Sequence, residues 1–108
     1  MLFHIALPED WSAAQDTGRY TTSSRGVSLA QEGYIHCSFG DQVAATAQRY
    51  YADVGEVVLL QIDPDLLTSP VVVEDLAGSG QPFPHVYGPI DLAAVVSATP
   101  ADPATIRF

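Results

Sequence analysis

Val57-Val58-Leu59-Leu60-Gln61-Ile62 is an almost unbroken apolar run, closed downstream by Asp63-Pro64-Asp65. It is too short for a helix and has no polar face, so it reads as a strand buried on both sides, in the centre of a sheet. Immediately upstream, Asp41 stands as N-cap of the clearest helix, in which Val43, Ala44, Ala47, Tyr50 and Tyr51 recur at helical spacing before Gly55. Tyr34 to Ser38 precedes that helix as a strand. Further upstream, Ser28 and Gln31 match a capping box, and Gly33 stops a single helical turn. Arg19 to Ser28, rich in Ser, Thr and Gly, reads as an exposed loop. Pro8 opens a short helix ended by Gly18, and Leu2 to Leu7 alternates as a first strand. Its Phe3, Ile5 and Leu7 share one face, so His4 points away from the larger apolar side chains.

Downstream of the apolar run, Asp63-Pro64-Asp65 opens a turn or short helix, and Val71 to Asp75 forms another strand. Gly78-Ser79-Gly80 and a proline-stiffened loop from Pro82 to Pro89 follow, with a last strand around Ala94 to Ser97. Strands and helices are mixed without regular βαβ alternation, so the fold class is α+β, in one domain over residues 1–98. Residues 99–108, with Pro100 and Pro103, read as a loosely held tail.

The 108 residues are 47% apolar, which suits one compact core and leaves no room for a second. Thirteen carboxylates against four arginines and no lysine give a net charge of −9. That balance repels phosphate backbones, which argues against DNA and against a long RNA, though not against a small nucleotide. No apolar stretch approaches the ~20 residues that span a bilayer, so no membrane partner is expected. Nothing resembles a secretory signal, and Cys37 alone permits no internal disulfide; both point to the cytoplasm.

Three histidines carry the chemical interest. Alternation puts Tyr34, His36 and Ser38 on one face of their strand and Ile35 with Cys37 on the other, which gives His36 hydrogen-bonding company at once. The rigid stretch Phe83-Pro84-His85-Val86-Tyr87-Gly88-Pro89 presents His85 and Tyr87 in a defined geometry. His4 completes the set. The bland counterparts are a paired histidine on a half-exposed strand and a connection whose aromatics merely cap the core. Arg19 and Arg25, among Thr21, Thr22, Ser23 and Ser24, form a candidate phosphate-holding loop, against the commoner alternative of scattered surface cations. No two histidines have close metal-ligand spacing, so no metal is expected. Cys37 points away from His36 and makes a poor nucleophile. Glu74 and Asp75 face opposite sides and are not a catalytic pair.

Together, Phe3-His4-Ile5, Trp11, Glu32-Gly33-Tyr34-Ile35-His36-Cys37-Ser38, Asp41-Gln42 and Phe83-Pro84-His85-Val86-Tyr87-Gly88-Pro89-Ile90 resemble the bacterial domain-of-unknown-function 952 family, over about residues 2–97. The resemblance implies an ADP-ribosyltransferase-like fold, two small β-sheets with a cleft between them and flanking helices. It implies a nucleotide- or NAD-handling enzyme, an ADP-ribosyl or 2′-phosphate transferase or hydrolase, with NAD as the implied cofactor. The alternative is a non-catalytic module for a small ligand containing ribose or phosphate. By the same resemblance His4 meets a ribose hydroxyl and His36 lines the nicotinamide pocket beside Ser38. The third position, a glutamate in those transferases, falls to Glu74 or His85. Only a carboxylate there opposes a developing ribosyl cation. His4, His36 and His85 are thus the catalytic candidates, and Trp11, Arg19, Arg25, Ser38, Glu74 and Tyr87 the ligand-binding ones, with Trp11 available to stack on a base.

Overall fold

The computed structural model describes residues 1–106. In chain order the elements are β1 (Leu2–Ala6), α1 (Pro8–Thr17), β2 (Arg19–Tyr20), β3 (Thr22–Ser24), β4 (Val27–Ser28), α2 (Leu29–Glu32) and β5 (Ile35–His36). They continue with α3 (Val43–Tyr50), β6 (Val57–Ile62), β7 (Val71–Glu74), β8 (Phe83–Val86), β9 (Ile90–Asp91) and β10 (Val95–Ala101). Short 3-10 turns lie at Pro64–Leu66, Leu92–Ala94 and Pro103–Thr105.

As its apolar run requires, β6 is central: β1 pairs on one side and β10 on the other, both antiparallel. Both of its faces are covered. Val58, Leu60 and Ile62 join Leu2 and Ala6 in one core cluster, while Val57 packs with Phe3, Ile5, Val43 and Ala47 under α3. The second sheet has the order β5-β8-β7, with Ile35 and Val86 opposed and facing the first cluster. Both are antiparallel; with the two-stranded pairings β2–β9 and β3–β4 and three α-helices among the described residues, the chain is α+β.

Among the described residues, one isolated bridge joins these two three-stranded sheets. Phe3 and Ser38 exchange both backbone hydrogen bonds, each 2.8 Å, on the side of β1 turned away from β6.

Several elements form as the sequence predicts. Pro8 begins α1, and Gly18 ends it with φ +83° and its N–H on Ala14 O. Ser28 and Gln31 form a reciprocal capping box. Other expectations are corrected. The stretch Arg19 to Ser28 is not a loop: Thr22–Ser24 and Val27–Ser28 make a hairpin, and Arg19–Tyr20 pairs with Ile90–Asp91. Gly26, at φ +67°, supplies the left-handed turn residue that this tight hairpin needs. Asp41 is exposed and does not cap α3; the cap is Gln42, whose side chain accepts from Phe39 N–H and donates to Pro82 O. The helix ends at Tyr50, short of Gly55.

The stretch Pro82 to Pro89 is likewise not a loop, because β8 is the central strand of its sheet. Pro84 is tolerated there because its carbonyl, which accepts from Cys37 N–H at 3.0 Å, faces the end of β5. Its nitrogen points the same way, to where regular pairing has already stopped. The expected boundary at residue 98 falls inside β10, which stays paired with β6 to Ala101; Pro103 is buried, and Ile106 closes the core under α3. Pro100 fits because β10 is an edge strand. Residues 107–108 of the expected tail lie outside the described residues.

Candidate functional site

The site begins at the seam between the sheets. His4 is buried; it does not face away from the core, since Leu2 and Ala6 on its own side of β1 are core residues. Its Nδ1 lies 2.5 Å from the backbone oxygen of His36. A carbonyl only accepts, so Nδ1 carries the proton, and Nε2 accepts from the Tyr20 hydroxyl at 2.8 Å. Burial pushes the His4 pKa down to about 4, with His36 adding a smaller lowering charge effect, so the ring is neutral near pH 7. Both nitrogens are consumed in tying β1 to β5 and β2.

The next layer is one face of the second sheet. His36 and His85 are directly opposed across β5 and β8, with rings 5.2 Å apart and perpendicular. Tyr34 stacks on His85 at 4.2 Å and presents its edge to His36 at 4.9 Å. Alternation explains the grouping: Tyr34 with His36, and His85 with Tyr87, are two residues apart and share a face. Glu74 joins them diagonally, because Val72 is the residue opposite His85.

Each of these imidazoles has its own carboxylate. His36 Nε2 is 2.9 Å from Glu32 Oε1, and His85 Nδ1 is 2.8 Å from Glu74 Oε2. Tyr87 donates to the same Glu74 oxygen. The Tyr87 and His85 hydrogen bonds hold the Glu74 carboxyl below its ordinary range, and His36 does the same for Glu32. Glu74 in turn raises the Tyr87 phenol to about 12. A carboxylate on Nδ1 fixes the His85 tautomer and leaves Nε2 to accept a proton or a hydrogen bond. His85 is buried yet lines the cleft.

The cleft has a volume of about 580 Å³. The seam, the β3–β4 hairpin, the C-terminal part of α3 and residues 75–77 enclose it. It gathers His4, His36, His85, Ser38 and Arg25 of the expected residues. Ser38 turns its hydroxyl to Thr46 at 3.4 Å. Glu74 and Tyr87 are not among its lining residues; Glu74 meets His85 Nδ1, and Tyr87 donates to Glu74. Trp11 does not reach the cleft, because it packs on the first core cluster. Arg19 is drawn to Asp91, its cross-strand neighbour, at 3.5 Å. Arg25 lines the cleft but is not at liberty to hold phosphate: it forms a fork on Asp53, at 2.7 and 3.0 Å, and also donates to Tyr50 O. Cys37 is buried, and burial pushes its thiol up to about 12. Asp75 is turned to the backbone N–H groups of Ser79 and Gly80, so it does not pair with Glu74. No metal-ligand cluster of three or more His, Cys, Asp or Glu exists among the described residues, and no helix there is long and apolar enough to cross a membrane.

Sequence reasoning missed Glu32, Tyr20 and the inward turn of Ser23. Glu32 lies four residues before His36, a separation that the Gly33 stop hid by breaking the helix between them.

Fold and site define a small α+β protein with several small sheets, two of them three-stranded and bridged at one seam, and a cleft lined by histidines beside it. The chain belongs to the family described as protein of unknown function (DUF952), whose model matches residues 5–98. It is similar to protein CC0527 from Caulobacter crescentus. That protein's crystal structure is 30% identical, with a TM-score of 0.76, covering 94% of this chain and 83% of the other. The solution NMR structure of CC0527 is 28% identical with a TM-score of 0.64, covering 94% and 82% respectively. No curated protein sequence matches the chain.

Proposed function

We propose that the cleft binds a small nucleotide-type ligand, NAD or a related ribose- and phosphate-containing molecule, and that His36 and His85 act on it as an acid–base pair. The observation that carries this reading is their cross-strand opposition at 5.2 Å, each imidazole backed by its own carboxylate. One ring can take a proton from an attacking hydroxyl while the other gives one to a leaving oxygen. The cleft volume is in the usual range for small-molecule sites, and Tyr34 offers an aromatic wall. An ADP-ribosyltransferase-like architecture belongs to the same reading, supported by two three-stranded sheets bridged at one point beside a cleft. Of the two chemistries, 2′-phosphate transfer is favoured over ADP-ribosyl transfer, because Glu74 is committed to His85 and Tyr87 rather than open to a ribosyl cation. His4 then serves as a positioning residue at the seam. A cytoplasmic setting completes the reading.

The commitment of Arg25 to Asp53 favours a second reading, a non-catalytic module whose ligand does not depend on a guanidinium. NMR of the His36 and His85 imidazoles during titration with NAD, ADP-ribose and a 2′-phosphorylated dinucleotide separates these outcomes, with chromatography of the ligand afterwards. Shifts in both rings, lost in His36→Ala and His85→Ala, support the nucleotide site, and chemically altered ligand supports the enzyme. Silence of both rings at millimolar ligand overturns the nucleotide reading.

A further inference from the structure

We propose that the free edge of β7 is a self-association surface, on which β7 of a second copy of the chain pairs antiparallel about a two-fold axis at Val72. The inference is independent of what the cleft binds. β7 is the outer strand of the sheet β5-β8-β7. Tyr87 N–H donates to Pro70 O at 2.8 Å and Cys37 N–H to Pro84 O at 3.0 Å, which fixes the hydrogen-bonding phase of β8. His85 therefore turns its peptide groups to Val72, its register partner, and Val71 and Val73 turn their N–H and C=O groups outward. Among the described residues no backbone bond from another segment reaches those outward groups. Val72 and Val73, on opposite faces of the strand, are both exposed. An apolar edge of this kind is normally covered or blunted. In the other three-stranded sheet it is: β1 is bridged to Ser38, and β10 carries Pro100 and a register shift between Val95 and Ser97. Val71-Val72-Val73 has no charge, proline or bulge.

Charge decides the occupant. The chain carries −9, but the two carboxylates that follow the valines are engaged within it, Glu74 by His85 and Tyr87 and Asp75 by the N–H groups of Ser79 and Gly80. The edge is therefore an uncharged strip, which gives a basic segment no open carboxylate and suits an equally apolar strand. β7 is such a strand. Outward groups pair only with outward groups, and a register centred on Val72 sets all three valines against valines. Centring on Val71 or Val73 instead sets two of them against Ser69 and Pro70, or against Glu74 and Asp75. In the Val72 register, Val71 and Val73 of the second copy exchange both backbone hydrogen bonds, and so does the symmetry-related pair. Val72 meets Val72 of the second copy on the axis, in a non-hydrogen-bonded pair where side chains come closest. Glu74 falls opposite Pro70 and Asp75 opposite Ser69 of the second copy, so no carboxylate opposes a carboxylate. Val71 packs on the first core cluster, and Val73 of the second copy beside it continues that apolar layer across the axis.

Sedimentation of the full chain tests this from ~10 µM to ~1 mM, because a strand pair falls short of the ~1,200 Å² at which standard interfaces begin and associates weakly. The average mass is expected to rise from one chain towards two across that range. Val73→Pro removes an outward N–H without touching a bond to β8, so it should weaken association about tenfold or more while the thermal midpoint changes little. Val72→Lys and Val72→Glu each set like charges together on the axis, and each alone should remain monomeric. An equimolar mixture of these two should associate again, because opposite charges then meet. That restoration is specific to a two-fold register centred on residue 72, and it carries the test even where Val73→Pro folds poorly. A wild-type chain that stays monomeric at the highest concentration leaves the edge to another partner and overturns the proposal. Association undiminished in a folded Val73→Pro or in Val72→Lys overturns it as well, and so does a mixture of the charged variants that stays monomeric.

Discussion

Replacing His4 with Asn tests whether the seam is held by a neutral histidine. In the folded protein the His4 pKa is lowered to about 4 from its ordinary 6.5. A lowered folded-state value means that the unfolded chain takes up the proton first as pH falls. The stability His4 confers is therefore complete above pH 6.5 and is lost as pH drops from 6.5 towards 4. The slope is about 1.4 kcal/mol per pH unit, for roughly 3 kcal/mol in all, a large part of the ~5–15 kcal/mol typical of a domain. In His4→Asn the side-chain amide takes the place of Nδ1 and still donates to His36 O. The Tyr20 hydroxyl loses its acceptor, which costs about 1–3 kcal/mol at neutral pH without introducing a titrating group. Urea unfolding of both proteins between pH 7.5 and 4.5 gives the comparison. Glu32, Asp53, Glu74 and Asp75, whose pKa values are all lowered on folding, destabilise both proteins alike at the acid end and cancel in the difference. The wild-type advantage should shrink steadily from pH 6.5 downward. A difference that stays constant across that range would refute the neutral, doubly hydrogen-bonded His4.

Two further outcomes follow from the cleft walls. Cys37, buried and with its thiol raised to about 12, should not react with iodoacetamide in the native protein and should label rapidly in denaturant; fast native labelling would contradict its placement. Arg25→Ala removes the fork on Asp53 and the bond to Tyr50 O that hold the β3–β4 hairpin against α3, so amide exchange over residues 22–28 should accelerate while β6 amides keep their protection. Equal acceleration in both segments would show that the hairpin is not separately latched.

How far the fold is readable from the sequence depends on whether a residue's neighbours are local. The β6 strand is legible because its apolar side chains follow one another on both faces and so demand cover on each side, and α1 because Pro8 and Gly18 mark its ends chemically. The face shared by Tyr34, His36 and Ser38 is legible from alternation alone. Pro84 misleads because proline is excluded from a central strand only where its missing N–H faces a partner, and that depends on where β5 stops. The region 99–106 misleads for the reverse reason: its prolines suggest looseness, but β6 offers a free edge that only long-range pairing reveals.

At the site, chemistry is legible and allegiance is not. Arg19 and Arg25 have the right groups for phosphate, but each is claimed by a carboxylate distant in sequence, Asp91 or Asp53, in an acidic chain that offers every cation several such partners. His4 is equally recognisable as unusual, yet its nitrogens are assigned by Tyr20 and by a backbone oxygen 32 residues away. The residues that keep their freedom are those whose partners lie beside them in the fold. His85 is oriented by Glu74 on the adjoining strand and still lines the cleft. On the proposed reading, the acid–base pair therefore comes from local sheet geometry, while the commitment of Arg19 and Arg25 comes from distant charge pairing, and the two together narrow the ligand more than either does alone.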